Sequence, residues 1–302
     1  MSHAVVRVLR IPAVVFAVWL VLAYVVPLAM TRYAPFTLRP GLGCVPQGGG
    51  QVVIISGVPT VVQAATCQTL AELYRRPFTE LFVDGMFRSL ALLAGAAVLA
   101  VIIGTLLGAT AALLRRRALA SGGILAATSL VTAVPAFFVA YFLQITVIVL
   151  GAGNDGGRLL PVFGFGYDEH IVLPLLSISL PAIAYTAQLT ATRMGEVLDA
   201  DFITAANARG LRTSWILSVH VLPHVRPVVI EALGSGLRVS VASLPIVEFI
   251  FGWGGIGELS LAAFGIQDAS AFVFSAVALT TLFATLSAIA DLSRPRVLYR
   301  AT

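Results

Sequence analysis

The sequence contains no lysine, and all 19 basic residues among its 302 positions are arginine. This absence excludes a nucleotide-binding P-loop, because the GxxxxGK[ST] motif needs its lysine to contact the phosphates. It also excludes enzymes that form a Schiff base on a lysine amine. Any nucleotide hydrolysis that drives this protein must therefore take place on another polypeptide.

Charge of either sign is scarce. Only 11% of the residues are charged and 59% are hydrophobic, with a mean hydropathy of +0.97. Soluble domains carry about 25% charged residues, so the composition predicts a membrane protein with several spans. The net charge of +5 is scattered through short loops. Because no basic face interleaved with aromatics is present, we expect membrane topology to explain the charge and no nucleic-acid partner.

Groups that perform chemistry are also few. No nucleophile elbow and no clustered pair of carboxylates is present, so we predict no catalytic residue and no cofactor bound by this chain. His220 and His224 have the i, i+4 spacing of metal ligands on a helix, but no third ligand lies near them in the sequence. A solvated or partner-contacting role is therefore favoured over a metal site.

Long apolar runs dominate what is present. A membrane-spanning helix needs about 20 predominantly apolar residues. Six stretches meet this condition, at about 11–31, 86–113, 122–150, 171–192, 227–250 and 271–291. The first follows Arg7 and Arg10 as a signal peptide would. We predict a retained anchor instead, because the apolar run is long and no small-residue cleavage site follows it.

The arginines predict the orientation, since they are enriched in short cytoplasmic loops. With the N-terminus inside, twelve arginines are cytoplasmic and five are outside, with Arg88 near a boundary. Both termini are then cytoplasmic, including the tail 292–302, and so is the loop 193–226. The segment 32–85 forms an extracytoplasmic insertion between the first two spans.

The insertion mixes proline, glycine and β-branched runs, which indicates a small strand-bearing elaboration. It holds both cysteines of the protein, Cys44 and Cys67. On an oxidising face the two can form a disulfide, which for a loop of this length stabilises by about 3 kcal/mol in the chain-entropy model. The alternative is two free cysteines buried as small hydrophobic residues. We favour the disulfide.

A polar loop at 201–223 interrupts the apolar chain. From Arg193 onward apolar residues recur at helical spacing, which predicts a surface helix with one apolar side that ends at Gly210. Thr213 or Ser214 is expected to cap a second short helix, which Pro223 ends or redirects. The loop would then be a helix-turn-helix projection. The alternative is an ordinary amphipathic hairpin at the membrane surface.

Two ionisable residues fall inside the fifth predicted span. Glu231 and Arg238 are seven positions apart and so lie on similar faces of the helix. Such groups are costly in a membrane and usually face the interior of a bundle or a water-filled path. They line a translocation route on one interpretation. On the other, Glu231 lies near the cytoplasmic interface, and Arg238 is satisfied by a neighbouring helix or a second subunit.

Several spaced motifs in the C-terminal half occur in a fixed order. They are Arg193 at the end of a span, Glu196-Val197-Leu198, Asp201-Phe202-Ile203, Ala206, Ala208, Gly210-Leu211, Glu248, Phe251, Trp253, Gly255-Ile256-Gly257, Asp291 and Pro295-Arg296-Val297. Over about 171–299 the chain therefore resembles the permeases of the dipeptide, oligopeptide and nickel class of ABC importers, and most closely their B-type subunit. The N-terminal quarter lacks the Pro-Gly-Asp-Pro segment usual in that class.

The resemblance implies an all-α membrane protein with six transmembrane helices in the type I ABC-importer permease fold. It also implies a loop that couples to the ATPases and a loop that faces the binding protein. The coupling residues are Asp201, Ala205, Ala206, Gly210, Leu211, Leu222 and Pro223. The residues on the binding-protein side are Glu248, Trp253, Gly255 and Gly257.

The same resemblance implies the surroundings of the chain. The expected partners are a homologous second permease, two ATP-binding subunits that hold ATP and Mg, an extracytoplasmic substrate-binding protein and membrane lipid. The expected location is the bacterial inner membrane. The expected cargo is short peptides, and nickel or another small solute is the alternative. A secondary transporter or channel that works alone is the second hypothesis, and an assembly or sensor subunit is the third.

Overall fold

The computed structural model describes residues 51–55, 58–62, 69–152, 160–266 and 268–293. Its elements, in chain order, are β1 (Gln51–Ile55), β2 (Val58–Val62), α1 (Leu70–Tyr74), α2 (Phe78–Leu113), α3 (Ala118–Ala133), α4 (Ala136–Ala152), α5 (Val172–Leu198), α6 (Asp201–Ala208), α7 (Thr213–Phe251), α8 (Ile256–Gly265) and α9 (Ala269–Ser293). Turns of π-helix lie within α2 at Ala100–Gly104 and within α7 at Ile216–Val221.

The two strands form an antiparallel hairpin in which Gln51 pairs with Val62 and Ile55 pairs with Val58. They lie in the insertion, where the β-branched runs indicated strands. Cys44 and Cys67, and with them the expected disulfide, lie outside the described residues.

Within the described residues, four helices are long and apolar enough to cross a membrane, namely α2, α5 with the turn before it, α7 and α9. The bent pair α3 and α4 brings the number to five if it counts as one span. These helices cover the five predicted spans from 86 onward. The predicted span 11–31 lies outside the described residues.

Helix α2 begins at Phe78, ahead of position 86, where its span was predicted to start. The first turns carry Glu80 and Asp84, which lie ahead of the apolar run. Both carboxylates are ion-paired to Arg76, at 3.3 and 3.0 Å, and this pairing raises the pKa of Arg76, with Asp84 as the largest cause. The polar residues therefore continue the helix beyond the apolar run.

The prediction of one continuous helix over 122–150 is wrong. The chain bends by 99° between α3 and α4. Val134, at the end of α3, has the extended angles φ −92° and ψ 124°. The next residue is Pro135, whose ring disfavours helical angles in the residue before it and which has no N–H to donate. The apolar run therefore holds two helices, which form a broken span or a re-entrant loop.

Helix α5 lies at the centre of the bundle and packs against α2, α3, α4 and α7. Small residues bring the backbones together. A Cβ atom at Gly104 would lie 2.7 Å from Cβ of Thr186, and one at Gly108 would lie 2.6 Å from Cβ of Thr190. Such close approach is how membrane helices gain van der Waals contact without a hydrophobic driving force. The rotation of α2 against α5 is fixed by these contacts.

The polar loop differs from its prediction in two ways. The expected single helix from Arg193 is interrupted at Asp199 and Ala200, which separate α5 from α6. The expected short second helix is the beginning of α7, because the chain stays helical from Thr213 through Pro223 to Phe251.

Pro223 follows a π-helical turn and lies at the start of the regular α-helical part of α7, where a missing N–H is tolerated. The prediction that Pro223 ends or redirects the helix is therefore wrong. Side-chain capping by Thr213 or Ser214 is wrong as well, since the cap position is Arg212 and makes no such bond.

Candidate functional site

The polar loop, residues 199–223, is called the coupling element below, and it has two sides. Its buried side packs onto the ends of α2, α5 and α7. The buried members of this cluster are Ala112, Met194, Val197, Ile203, Ala206, Ile216, Val221 and Val225. Because the contacts come from three long helices, the coupling element is fixed to the body of the bundle rather than hanging from it.

The opposite side of the coupling element is exposed. Phe202 is 44% exposed and Trp215 is 57% exposed, which is unusual for large apolar side chains in a polar loop. This side carries a depression of about 260 Å³. It is lined by Phe202, Ala205, Ala206, Arg209, Leu211 and His220. A shallow apolar depression rimmed by an arginine is suited to receive an apolar side chain of another protein.

Among the expected coupling residues, Ala205, Ala206 and Leu211 line this depression. All of the expected residues except Ala206 are exposed, namely Asp201, Ala205, Gly210, Leu211, Leu222 and Pro223. Ala206 is 6% exposed and belongs to the buried cluster, although it also borders the depression. Phe202 and Trp215 were not assigned to the surface from the sequence, whereas a solvated or partner-contacting role was predicted for His220.

Gly210 has a specific backbone role. Its φ of +72° lies in the left-handed region, and its N–H donates to the carbonyl of Asn207 at 2.9 Å. The next N–H, of Leu211, donates to the carbonyl of Ala206 at 3.3 Å, which closes the end of α6. A Cβ atom at Gly210 would meet nothing within 4 Å. Glycine is therefore needed here for its conformation and not for space.

An ion pair ties the coupling element to the turn between α2 and α3. Arg115 donates from Nη2 to Oδ1 of Asp199 at 2.9 Å and from Nε to the same oxygen at 3.2 Å. Asp199 is 69% exposed, so this pair contributes at most about 1 kcal/mol. It lies at the break between α5 and α6 and so restrains the angle between them.

At the other end of the bundle, three of the four residues expected on the binding-protein side, Glu248, Gly255 and Gly257, come together around one carboxylate. Glu248, at the end of α7, is fully buried. Its Oε2 accepts from the N–H groups of Gly257 at 2.8 Å and Glu258 at 3.1 Å, at the beginning of α8. Its Oε1 accepts from the hydroxyl of Ser89 in α2 at 2.5 Å. The carboxylate therefore joins α2, α7 and α8.

The two glycines leave the room that this carboxylate needs. A Cβ atom at Gly255 would overlap the carboxylate of Glu248, and one at Gly257 would lie 2.6 Å from Cα of Pro245. Trp253 is also fully buried, and its Nε1 donates to the carbonyl of Arg88 at 3.2 Å. Glu248 and Trp253 thus lie in the interior and present no side-chain surface to a partner in this conformation.

The surface at this end is formed by the segment before α5. Phe163, Phe165 and Tyr167 are 48%, 38% and 62% exposed. The guanidinium of Arg88 lies 3.8 Å from the centre of the Phe165 ring. None of these aromatics was singled out from the sequence, although alternation with glycine in VFGFGY is a signal of side chains held on a loop.

The carboxylate of Asp168 lies at the end of the segment that carries these aromatics. Oδ1 of Asp168 lies 2.6 Å from Nδ1 of His170 and accepts from the backbone N–H of His170 at 3.2 Å. Hydrogen bonding by the His170 side chain, followed by that of its backbone, lowers the pKa of Asp168. The segment therefore carries an ionised carboxylate beside its exposed aromatics.

The remaining candidates lie on α7. Glu231 and Arg238 are both half-buried. In the described part of the chain, no group of three or more His, Cys, Asp or Glu residues is arranged to hold a metal ion. His224 lies at the coupling element, with its ring centre 5.7 Å from that of Phe202.

Comparisons with known proteins agree on one family. Residues 100–299 match the family model described as "Binding-protein-dependent transport system inner membrane component". A protein of Brucella ovis described as a peptide permease is 28% identical over 184 residues, which are 60% of this chain and 57% of that protein. The glutathione transport system permease protein GsiC of Salmonella choleraesuis is 27% identical over 195 residues, 64% of this chain and 61% of GsiC.

A third relative, the peptide transport system permease protein SapB of Salmonella typhimurium, is 31% identical over 124 residues, 41% of this chain and 39% of SapB. The match to this chain thus spans less than two thirds of each of these relatives. Among solved structures, a chain of the MetNI methionine ABC transporter in an inward-facing conformation superimposes with a TM-score of 0.59 at 18% identity, covering 72% of this chain and 95% of that one. This likeness establishes the fold.

Proposed function

This chain belongs to the family of binding-protein-dependent transport system inner membrane components, and we propose that it is a permease subunit of an ATP-driven ABC importer for short peptides. The observation that carries the proposal is the coupling element. Its exposed apolar depression is fixed through a buried cluster to three long helices. A surface of this kind transmits the movement of a bound partner to the bundle.

The partners follow from the family and from the lack of a P-loop in the sequence. Two ATP-binding subunits hold ATP and Mg and bind the coupling element, while an extracytoplasmic binding protein delivers the cargo. A homologous second permease supplies the other half of the pathway. The chain spans the inner membrane of a bacterium six times, with both termini in the cytoplasm, and the insertion 32–85 faces outward.

The mechanism proposed is a rigid-body transition. When the two ATPases close, they displace the coupling element, and α5 and α7 move with it because Met194, Val197 and Val225 pack against it. The bundle then changes between outward-open and inward-open states. Arg115 and Asp199 transmit the same displacement to the turn before α3.

Peptide cargo is favoured by the names of the relatives, which include two peptide permeases and a glutathione permease. No cluster of metal-ligating side chains in the described residues favours nickel. A transporter or channel that works alone would leave the coupling element without an occupant, so it is not favoured.

The test combines association with transport. We expect the chain to co-purify with an ATP-binding subunit, and the complex to import labelled peptide into proteoliposomes only with ATP and a binding protein. Gly210→Asp should abolish uptake while the protein still inserts, because it adds a negative charge to the negative end of the α6 dipole at the partner surface. Gly210→Asn is the matched neutral variant, tolerates the same backbone angle and should retain part of the uptake.

Two results would contradict the proposal. One is purification under gentle conditions without any ATPase subunit. The other is Gly210→Asp with undiminished uptake and undiminished ATPase association, which would remove the coupling role from this loop.

A further inference from the structure

An arginine lies near the middle of α7. Arg238 is about midway between Leu222, where the regular α-helical part of α7 begins, and Phe251, where it ends. Between Pro227 and Val247 the only other ionisable residue is Glu231. An arginine at this depth is too costly to face lipid and is found where it meets protein or water.

Contacts on two sides of α7 fix which way Arg238 faces. On the side opposite Arg238, a Cβ atom at Gly236 would collide with the backbone of Ala182 in α5. Gly234 lies one turn before Arg238 on the same side of the helix, and a Cβ atom there would lie 2.6 Å from Cβ of Ala290 in α9. Ser240 donates from Oγ to the carbonyl of Ile178 at 2.7 Å. Helix α7 is therefore held against α5 and α9 and cannot rotate about its axis without breaking these contacts.

The side of α7 that this chain leaves partly uncovered is mixed, because a narrow strip that carries polar groups lies beside the exposed Val239 and Ile246. On a helix of 3.6 residues per turn, Glu231, Ser235, Arg238 and Ala242 fall within a sector of about 60°. Ala242 is exposed and the other three are half-buried, whereas Leu237, Val241 and Leu244 outside the sector are buried. We call these four residues the polar sector.

Within the polar sector, Arg238 keeps donors available. Its Nη2 donates to Oγ of Ser235 at 2.9 Å. That bond uses one of five N–H groups and places the guanidinium along the helix. None of the ion pairs among the described residues includes Arg238. The side chain is thus oriented by a neutral hydroxyl and not neutralised by a carboxylate of the described chain.

We propose that Arg238 binds the carboxylate of the cargo while it crosses the membrane, and this inference rests on the proposed function. A guanidinium presents two parallel donors to a carboxylate and is not deprotonated in proteins. Every short peptide carries one carboxylate at its C-terminus, so one arginine serves peptides of any sequence.

The inference is tested with the whole complex in proteoliposomes, using trialanine and trialanine amide as labelled probes. The binding protein is saturated with each probe beforehand, so that its own preference does not enter. In Arg238→Gln, we expect uptake of trialanine to fall about tenfold, the loss expected for one charge-assisted contact. Uptake of the amide should change less than about twofold, and Arg238→Lys should lie between wild type and Arg238→Gln.

Ala-Asp-Ala amide separates the two sources of a carboxylate. An equal loss for this peptide in Arg238→Gln means that Arg238 binds any carboxylate of the cargo, and no loss means that it binds the C-terminus. The matched control is Arg116→Gln, because Arg116 is exposed in the turn between α2 and α3. We expect that variant to transport all three peptides like wild type.

Three results overturn the inference. They are an equal loss for trialanine and its amide, no loss for either, and dissociation of the second permease subunit from Arg238→Gln during size-exclusion chromatography. The last would mean that Arg238 pairs with a carboxylate of that subunit. In all three cases ATP-dependent uptake by wild type is unchanged, so the proposed importer function is judged separately.

Discussion

The carboxylate of Glu248 illustrates how one buried group joins distant parts of the chain. Three donors converge on it, from Ser89 in α2 and from the N–H groups of Gly257 and Glu258 in α8. The two N–H groups lie in the first turn of a helix, where they have no acceptor within the helix itself. Glu248 is thus the N-terminal cap of α8, supplied from another helix.

We predict that Glu248→Ala lowers the free energy of unfolding by about 3 kcal/mol, because several buried donors then have no acceptor. Glu248→Gln should cost less, since its amide oxygen still accepts. Thermal unfolding of the purified protein in detergent measures both. Glu196→Ala is the control, because the Glu196 side chain is 58% exposed. Equal stability of Glu248→Ala and wild type would show that α8 does not depend on this cap.

The importance of Glu248, Trp253, Gly255 and Gly257 could be predicted from their motif, but their burial could not. From the sequence, a glutamate in an apolar run is equally consistent with a surface group and with a buried helix cap. Its environment comes from Ser89, which is 159 positions away in the sequence. For the same reason the motif was expected to face a partner, whereas the exposed residues at this end include the aromatics of the 160–168 segment and the charged residues at the beginning of α2.

At the scale of elements, two adjacent alanines of α6 differ in their exposure. Ala206 lies in the buried cluster beneath the helix, at 6% exposure, while Ala205 is exposed and lines the depression. On a helix, adjacent residues point about 100° apart. The sequence pattern alone therefore treats the two alanines as a pair, although only Ala205 is exposed.

This division gives a matched pair of variants. Ala205→Leu should leave the thermal stability unchanged and fill the depression, so that an ATPase subunit no longer co-purifies. Ala206→Leu should lower the free energy of unfolding by about 1–3 kcal/mol, because the added atoms have no space in the packed cluster. Unfolding in detergent and pull-down of the ATPase distinguish them. The idea fails if Ala205→Leu binds the ATPase like wild type.

The bend between α3 and α4 was not predicted from the sequence. Hydropathy averaged over the length of a membrane span gives one apolar run at 122–150, because this average is insensitive to a single proline. Pro135 is visible in the sequence, yet prolines 181, 227 and 245 lie inside continuous helices. Whether a proline breaks a membrane helix depends on whether neighbouring helices hold the backbone straight. The tertiary structure therefore decides the outcome.

At the scale of the whole molecule, the arginine distribution assigns opposite sides of the membrane to the two ends of the bundle. By that assignment the coupling element lies at the cytoplasmic end, and the Glu248 cap and the beginning of α2 lie at the outer end. The exposed aromatics of the 160–168 segment share the outer end. An importer needs this arrangement, because its motor and its binding protein act from opposite sides.

Single cysteines test this orientation after Cys44 and Cys67 are replaced by serine. Thr79→Cys, exposed in the first turn of α2, should react with a membrane-impermeant maleimide added to intact spheroplasts. Ser214→Cys, exposed in the coupling element, should react only after permeabilisation. Labelling of Ser214→Cys in intact spheroplasts would reverse the topology and with it the coupling role.

The native cysteines provide a separate test. If Cys44 and Cys67 are bonded, the unmodified protein takes up no maleimide until it is reduced, and reduction lowers its melting temperature. Uptake of two equivalents before reduction would favour the alternative of free cysteines.

The sequence by itself determined the class of this protein and the regions of its apolar helices, because composition and the length of apolar runs are local quantities that the membrane constrains strongly. It also determined the position of the coupling element, through a glycine and a run of spaced residues. Only the tertiary structure decided which alanine is exposed, where the 122–150 run bends, that Glu248 is a buried cap, and which side of α7 carries Arg238. Each of these depends on contacts between segments far apart in the chain, and no local pattern contains them.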